Sequence, residues 1–66
     1  MRITVNGKPE TVDDGASLLD FIHMKNLEPG KVVIELNLEI VDRKNLGDVL
    51  LRENDSLEVV KFVGGG

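Results

Sequence analysis

The segment Ser56-Leu57-Glu58-Val59-Val60-Lys61-Phe62-Val63 runs directly into Gly64-Gly65-Gly66. Its β-branched and aromatic residues suit a pleated, half-buried surface, so it reads as a strand. Side chains of a strand alternate between faces, which puts Leu57 and Val59 on one side and Val60 and Phe62 on the other. The fold depends on which strands lie beside this one.

Upstream, Val32-Val33-Ile34-Glu35-Leu36 is a second strand rich in β-branched residues, with Val32, Ile34 and Leu36 sharing a face. After a short turn, Ile40-Val41 reads as another short strand. At the start of the chain Ile3 and Val5 alternate with Arg2, Thr4 and Asn6, the period of a half-buried strand. Asn6-Gly7 then signals a hairpin, because both central residues of a type I′ turn need positive φ. A return strand is expected from Lys8 to Val12, and Pro9 assigns it to a sheet edge or a strand start. Asp13-Asp14-Gly15 is a turn. Ser17 reads as a helix N-cap, with Asp20 three residues on completing a capping-box pattern. Leu18, Leu19, Phe21 and Ile22 give the apolar stripe of a short helix, expected to end near Asn26, ahead of Pro29-Gly30. Residues 42 to 51 show no clear period and read as a turn of helix and an irregular crossing. Asn54-Asp55 is a turn.

The order is hairpin, helix, strand, short strand, final strand. If the first and last strands pair in parallel, the sheet closes over the helix. That arrangement is the α+β, ubiquitin-like β-grasp fold, a mixed sheet packed on one helix. Residues 1–63 would form the domain, and 64–66 a flexible C-terminal glycine tail.

Composition narrows the function. A chain of 66 residues is one domain, and it has no cysteine, so disulfides and thiolate metal sites are excluded. A net charge of −4, with eight basic residues scattered along the sequence, argues against nucleic-acid binding, which needs clustered Lys and Arg. No apolar run reaches the length of a membrane span, and Met1-Arg2-Ile3-Thr4 lacks the apolar stretch of a signal peptide. A soluble, cytoplasmic protein is the expectation. Catalytic groups are scarce: His23 is the one histidine and reads as a helix-surface residue. Nucleophilic catalysis needs an activated nucleophile beside a base, and no such pair is apparent. Asp13-Asp14 and Glu53-Asp55 read as solvated turn residues.

The glycine tail is the chemically informative feature. Lacking Cβ atoms, it is thin and tolerates unusual backbone angles. Such a tail suits a narrow channel in another protein, with Gly64 and Gly65 threading it and the carboxylate of Gly66 delivered to an active site. Adenylation would turn that carboxylate into a mixed anhydride open to a sulfur nucleophile, giving a thiocarboxylate.

The sequence resembles the thiamine-biosynthesis sulfur carrier family, ThiS, over essentially its whole length. The most specific stretch is Val33-Ile34-Glu35-Leu36-Asn37, followed by Glu39-Ile40-Val41 and Arg43. Leu27-Glu28-Pro29-Gly30-Lys31-Val32 and Asn54-Asp55-Ser56-Leu57-Glu58-Val59-Val60 reinforce it, and the family's terminal Gly-Gly falls on Gly65-Gly66. The chain departs where the family commonly has proline, at Asp42. It departs again near Leu46, often aromatic, and near Asn54-Asp55, often Gly-Asp. The resemblance implies a β-grasp carrier that is not itself an enzyme and binds neither ATP nor metal. Its partners would be an E1-like, ThiF-like adenylating enzyme that uses ATP on Gly66, a sulfur-relay protein, and a ThiG-like thiazole synthase that receives the sulfur. Carriers for molybdopterin or cysteine synthesis, and ubiquitin-like protein modifiers, share the first step and remain alternatives. On strand alternation, Val60 and Phe62 form an outward apolar patch beside the tail, suited to docking a partner.

Overall fold

The structure, a computed structural model, describes residues 1–62. Its strands are β1 (Arg2–Val5), β2 (Lys8–Thr11), β3 (Val32–Leu36), β4 (Glu39–Ile40) and β5 (Ser56–Lys61), with one helix, α1 (Leu18–Met24). The five strands form one sheet in the order β2-β1-β5-β3-β4. β5 is the central strand. It lies parallel to β1, with Thr4 opposite Ser56 and Val5 opposite Leu57, and antiparallel to β3, with Ile34 opposite Val59 and Leu36 opposite Leu57. This parallel pairing of first and last strands gives the β-grasp arrangement. β2 is the edge strand that Pro9 foretells, since an edge can spare a backbone N–H.

Local chemistry sets the helix ends. At the start, the Ser17 hydroxyl accepts from the Asp20 amide and the Asp20 carboxylate accepts from the Ser17 amide, both at 3.0 Å. The Ser17 backbone amide, then its hydroxyl, hold the Asp20 carboxyl below its ordinary pKa. The helix stops at Met24, two residues short of the expected end near Asn26. Asn26 takes φ 58°, its amide donates to His23 O, and the Leu27 amide donates to Ile22 O. These are the two reverse bonds of a Schellman cap, with asparagine in the left-handed position.

α1 lies over one face of the sheet. Ile3, Leu18, Phe21, Ile22, Ile34 and Leu57 are almost wholly buried between them. Each such side chain contributes about 1.5–3 kcal/mol over an exposed one. Residues 42 to 51 supply the rest of the core's cover. A 3₁₀ turn at Arg43–Asn45 leads to buried Leu46, and Leu50 makes an isolated bridge to Ser17 before buried Leu51. The short strand falls at Glu39–Ile40 rather than Ile40-Val41. Val41 adds only one further bond, its amide donating to Ile34 O.

The turn between β3 and β4 is a two-residue loop in which Asn37 (φ 50°) and Leu38 (φ 74°) both lie in the left-handed region. A γ-branched residue there meets its own carbonyl, at a cost of about 1–2 kcal/mol. Leu38 is also 89% exposed, so no packing offsets the strain. Leu38→Gly is therefore expected to stabilise the domain by about 1 kcal/mol. The urea midpoint would rise accordingly; a fall would show that Leu38 makes a contact that compensates.

Candidate functional site

The candidate site is the end of β5, because Phe62 and then Val63-Gly64-Gly65-Gly66 follow it in the sequence. Gly64, Gly65 and Gly66 lie outside the described residues. The geometry therefore concerns how firmly the strand before them is held and what surrounds it.

β5 is fastened at its start and midway along by asparagine side chains. At its start, Asn37 Oδ1 accepts from the Ser56 amide at 2.9 Å and Asn37 Nδ2 donates to Asp55 Oδ1 at 3.0 Å. Asp55 Oδ2 accepts from the Arg52 amide at 2.8 Å. Asp55 is thus a buried turn brace, not the solvated residue that its place in a polar turn implied. Its carboxylate can be buried because backbone and amide donors satisfy both oxygens. Further along, β1 ends and Asn6 continues the pairing with its side chain. Asn6 Oδ1 accepts from the Val59 amide at 2.8 Å, and Nδ2 lies 3.4 Å from Val59 O. The Asn6 amide donates to Leu57 O at 2.8 Å. Asn6, at φ 50°, therefore turns the hairpin and clamps the central strand. Finally the Phe62 amide donates to Lys31 O at 2.9 Å, so the backbone is held up to the last described residue.

The two faces of β5 differ as alternation requires. Leu57 is buried and Val59 packs on the core, while Val60 and Phe62 are 53% and 55% exposed on the outer face. Val60 stands opposite Val33, and Ile40 stands opposite Glu35 on the adjacent strand pair. Glu35 and Glu58 are also directly opposite. The outer face thus combines Val33, Ile40, Val60 and Phe62 with an acidic pair. His23 is exposed on α1, as its position suggested. Among the described residues no group of three or more His, Cys, Asp or Glu side chains is placed to hold a metal ion. Nor is any helix there long and apolar enough to cross a membrane.

Three of the eight basic residues are less scattered in space than in sequence. Lys8, Lys25 and Lys61 meet around one groove at the same end of the sheet, on the helix side. Linear order gave no signal of this, because the three come from β2, the helix C-cap and β5.

The sequence profile of the ThiS family matches residues 3–66. Sulfur carrier protein ThiS of Bacillus subtilis is 34% identical over 65 residues, an alignment covering 97% of this chain and 98% of that one. The chain belongs to the ThiS family. A crystal structure of the thiamine biosynthesis protein ThiS from Geobacter metallireducens superimposes with a TM-score of 0.82 at 33% identity, covering all of both chains. The chain is also 39% identical, over all 66 residues, to a thiazole synthase of Magnetococcus marinus. It spans only 20% of that protein's length, and 20% of a second thiazole synthase, from Paramagnetospirillum magneticum, to which it is 30% identical.

Within this family the Asn37 of the Glu-Leu-Asn stretch has a structural reading on the geometry above: it braces the start of β5. Arg43, from the same stretch, makes only a long contact, with Nη2 3.4 Å from Gly30 O.

Proposed function

We propose that Gly66 is the working residue of this carrier. Its carboxylate is adenylated, then converted to a thiocarboxylate whose sulfur goes into thiazole formation. The observation that supports this most directly is the fastening of β5 through Phe62, four residues before Gly66 in the sequence. A carrier needs a rigid handle next to a slender reactive end, because delivery depends on placing one atom accurately in another protein.

The chemistry runs in two stages. In an E1-like adenylating enzyme the Gly66 carboxylate oxygen attacks the α-phosphorus of ATP, forming the acyl adenylate and releasing pyrophosphate. A persulfide from a sulfur-relay partner then attacks the acyl carbon and AMP leaves. Cleavage of the S–S bond by a second thiol leaves the thiocarboxylate on the carrier and a disulfide on the relay side. Thiazole synthase is the acceptor. The likeness to one-fifth of two thiazole synthases supports this, since it associates a carrier-like sequence with that activity in single chains. ATP is bound and spent by the adenylating enzyme, and the carrier holds neither nucleotide nor metal.

Incubation with the adenylating enzyme, ATP and a sulfur donor, followed by intact-mass spectrometry, tests the proposal. Exchange of one oxygen for sulfur, lost when Gly66 is removed, is the expected result. An unchanged mass, with the enzyme active on another carrier, would overturn it. Irreversible joining to lysines of other proteins would move the chain to the modifiers.

The outer patch is the docking surface in this reading. Phe62 and Val60 lie next to the glycine sequence and expose apolar area that the core does not use. Phe62→Ala is expected to weaken binding to the adenylating enzyme by about 1–2 kcal/mol, the range of an aromatic contact at an interface. The melting temperature should stay near that of the parent. Unchanged affinity by calorimetry would remove Phe62 from the interface.

A further inference from the structure

The groove ringed by Lys8, Lys25 and Lys61 lies on the opposite face of β5 from Val60 and Phe62. Its floor is apolar: Val5, Phe21, Leu27 and Val59 line it between helix and sheet. The groove is open and holds about 460 Å³. With Glu10 as the one acidic residue lining it, the three lysines give it +2, on a chain whose net charge is −4, so all other residues together carry −6.

Lys25 is partly committed. It pairs with Glu10 and stands 5.8 Å from the centroid of the Phe21 ring, a cation–π distance. Lys8 and Lys61 form no ion pair among the described residues. Gathering like charges around an apolar floor opposes folding through mutual repulsion. Carboxylates are plentiful in this chain, yet only one lies in the groove. Fold stability gives no reason for the arrangement, whereas an anionic ligand with an apolar side chain does.

We propose that this groove docks an acidic segment of a protein partner, an apolar side chain of that segment resting on the half-buried Val5, Leu27 and Val59 while its carboxylates meet Lys8, Lys25 and Lys61. Charge complementarity commits the occupant. A second copy of this chain, whose β3–β4 turn exposes Leu38 beside Glu39, is the competing occupant; groove shifts that grow with protein concentration in the free chain would identify it and overturn the proposal. Small anions satisfy the lysines and leave the floor uncovered.

The test is NMR titration of the 66-residue chain with a capped peptide in which one central leucine is flanked by glutamates. Shifts are expected at the amides of Lys8, Phe21, Lys25, Leu27 and Lys61. Affinity should fall steeply with salt, because these charges are exposed and screened over about 8–10 Å. The Lys8→Gln, Lys61→Gln double variant should bind about tenfold more weakly, as expected for losing two exposed ion pairs. It should also melt no lower than the parent, since it removes repulsion and no described ion pair. Each of the following results would overturn the proposal. These are no shifts at the groove, shifts at Val33, Ile40 and Val60 instead, equal binding of a peptide with lysines in place of glutamates, and equal binding of inorganic phosphate or of the peptide with serine in place of leucine. A double variant that melts well below the parent would also overturn it, by showing that the lysines serve the fold.

Discussion

Gly65→Val is expected to fold as the parent does and to be adenylated about a hundredfold more slowly, the scale on which a misplacement near 1 Å lowers a rate. The two halves of this expectation have separate causes. Gly65 lies beyond residues 1–62, which contain the sheet, the helix and the core, so nothing described there depends on it. Valine, however, adds a β-branched side chain and confines the backbone. A tail that must pass through a close-fitting channel would no longer present the Gly66 carboxylate to ATP. ATP–pyrophosphate exchange with the adenylating enzyme measures the second half, and a thermal melt the first. Gly65→Ala should fall between parent and valine if width is what matters. Exchange at the parental rate in Gly65→Val would end the channel argument while leaving the carrier chemistry at Gly66 open to the mass measurement.

Most of the fold was legible because local signals agreed with one another. Asn6-Gly7 marked the first hairpin, Ser17 and Asp20 marked the helix start, and the alternation in β3 and β5 sorted inner from outer residues. The less legible parts share a physical reason: their stability comes from contacts far away in sequence. Leu46 and Leu51 are core residues in a stretch without period, since an irregular segment buries single side chains rather than a face. Asn37-Leu38 is a type I′ turn without the glycine that normally announces one. Asp55 reads as a turn residue because its partners, Asn37 and the Arg52 amide, belong to a brace that only the folded chain assembles.

The candidate site divides in the same way. The glycine sequence, Val60 and Phe62 could be picked out from order and alternation alone. The side-chain role of Asn6 could not, because a single residue serves as turn and as strand substitute at once. The lysine groove was invisible for a simpler reason. Lys8, Lys25 and Lys61 are 17 and 36 residues apart in the chain and meet only when β5 enters the sheet between β1 and β3.

Phe21→Ala is expected to cost about 3–5 kcal/mol, the range for truncating a buried aromatic residue. Phe21 is 2% exposed, at the middle of α1, and it is the largest of the fully buried side chains. A chain of 66 residues has a total stability of only about 3–10 kcal/mol on per-residue scaling. Removal of this one ring therefore takes away about three-tenths or more of the stability, and in the lower part of the range unfolds the domain. α1 cannot compensate on its own, because a seven-residue helix is far below the length that persists unaided and depends on the sheet beneath it. The loss should appear in urea unfolding as a lower midpoint with the slope retained, or as the absence of a folded baseline. Phe21→Leu, which keeps most of the apolar volume, should lose clearly less. A loss below about 1 kcal/mol for the alanine variant would mean that Phe21 is not the central buried contact between helix and sheet, since such a small value belongs to surface positions.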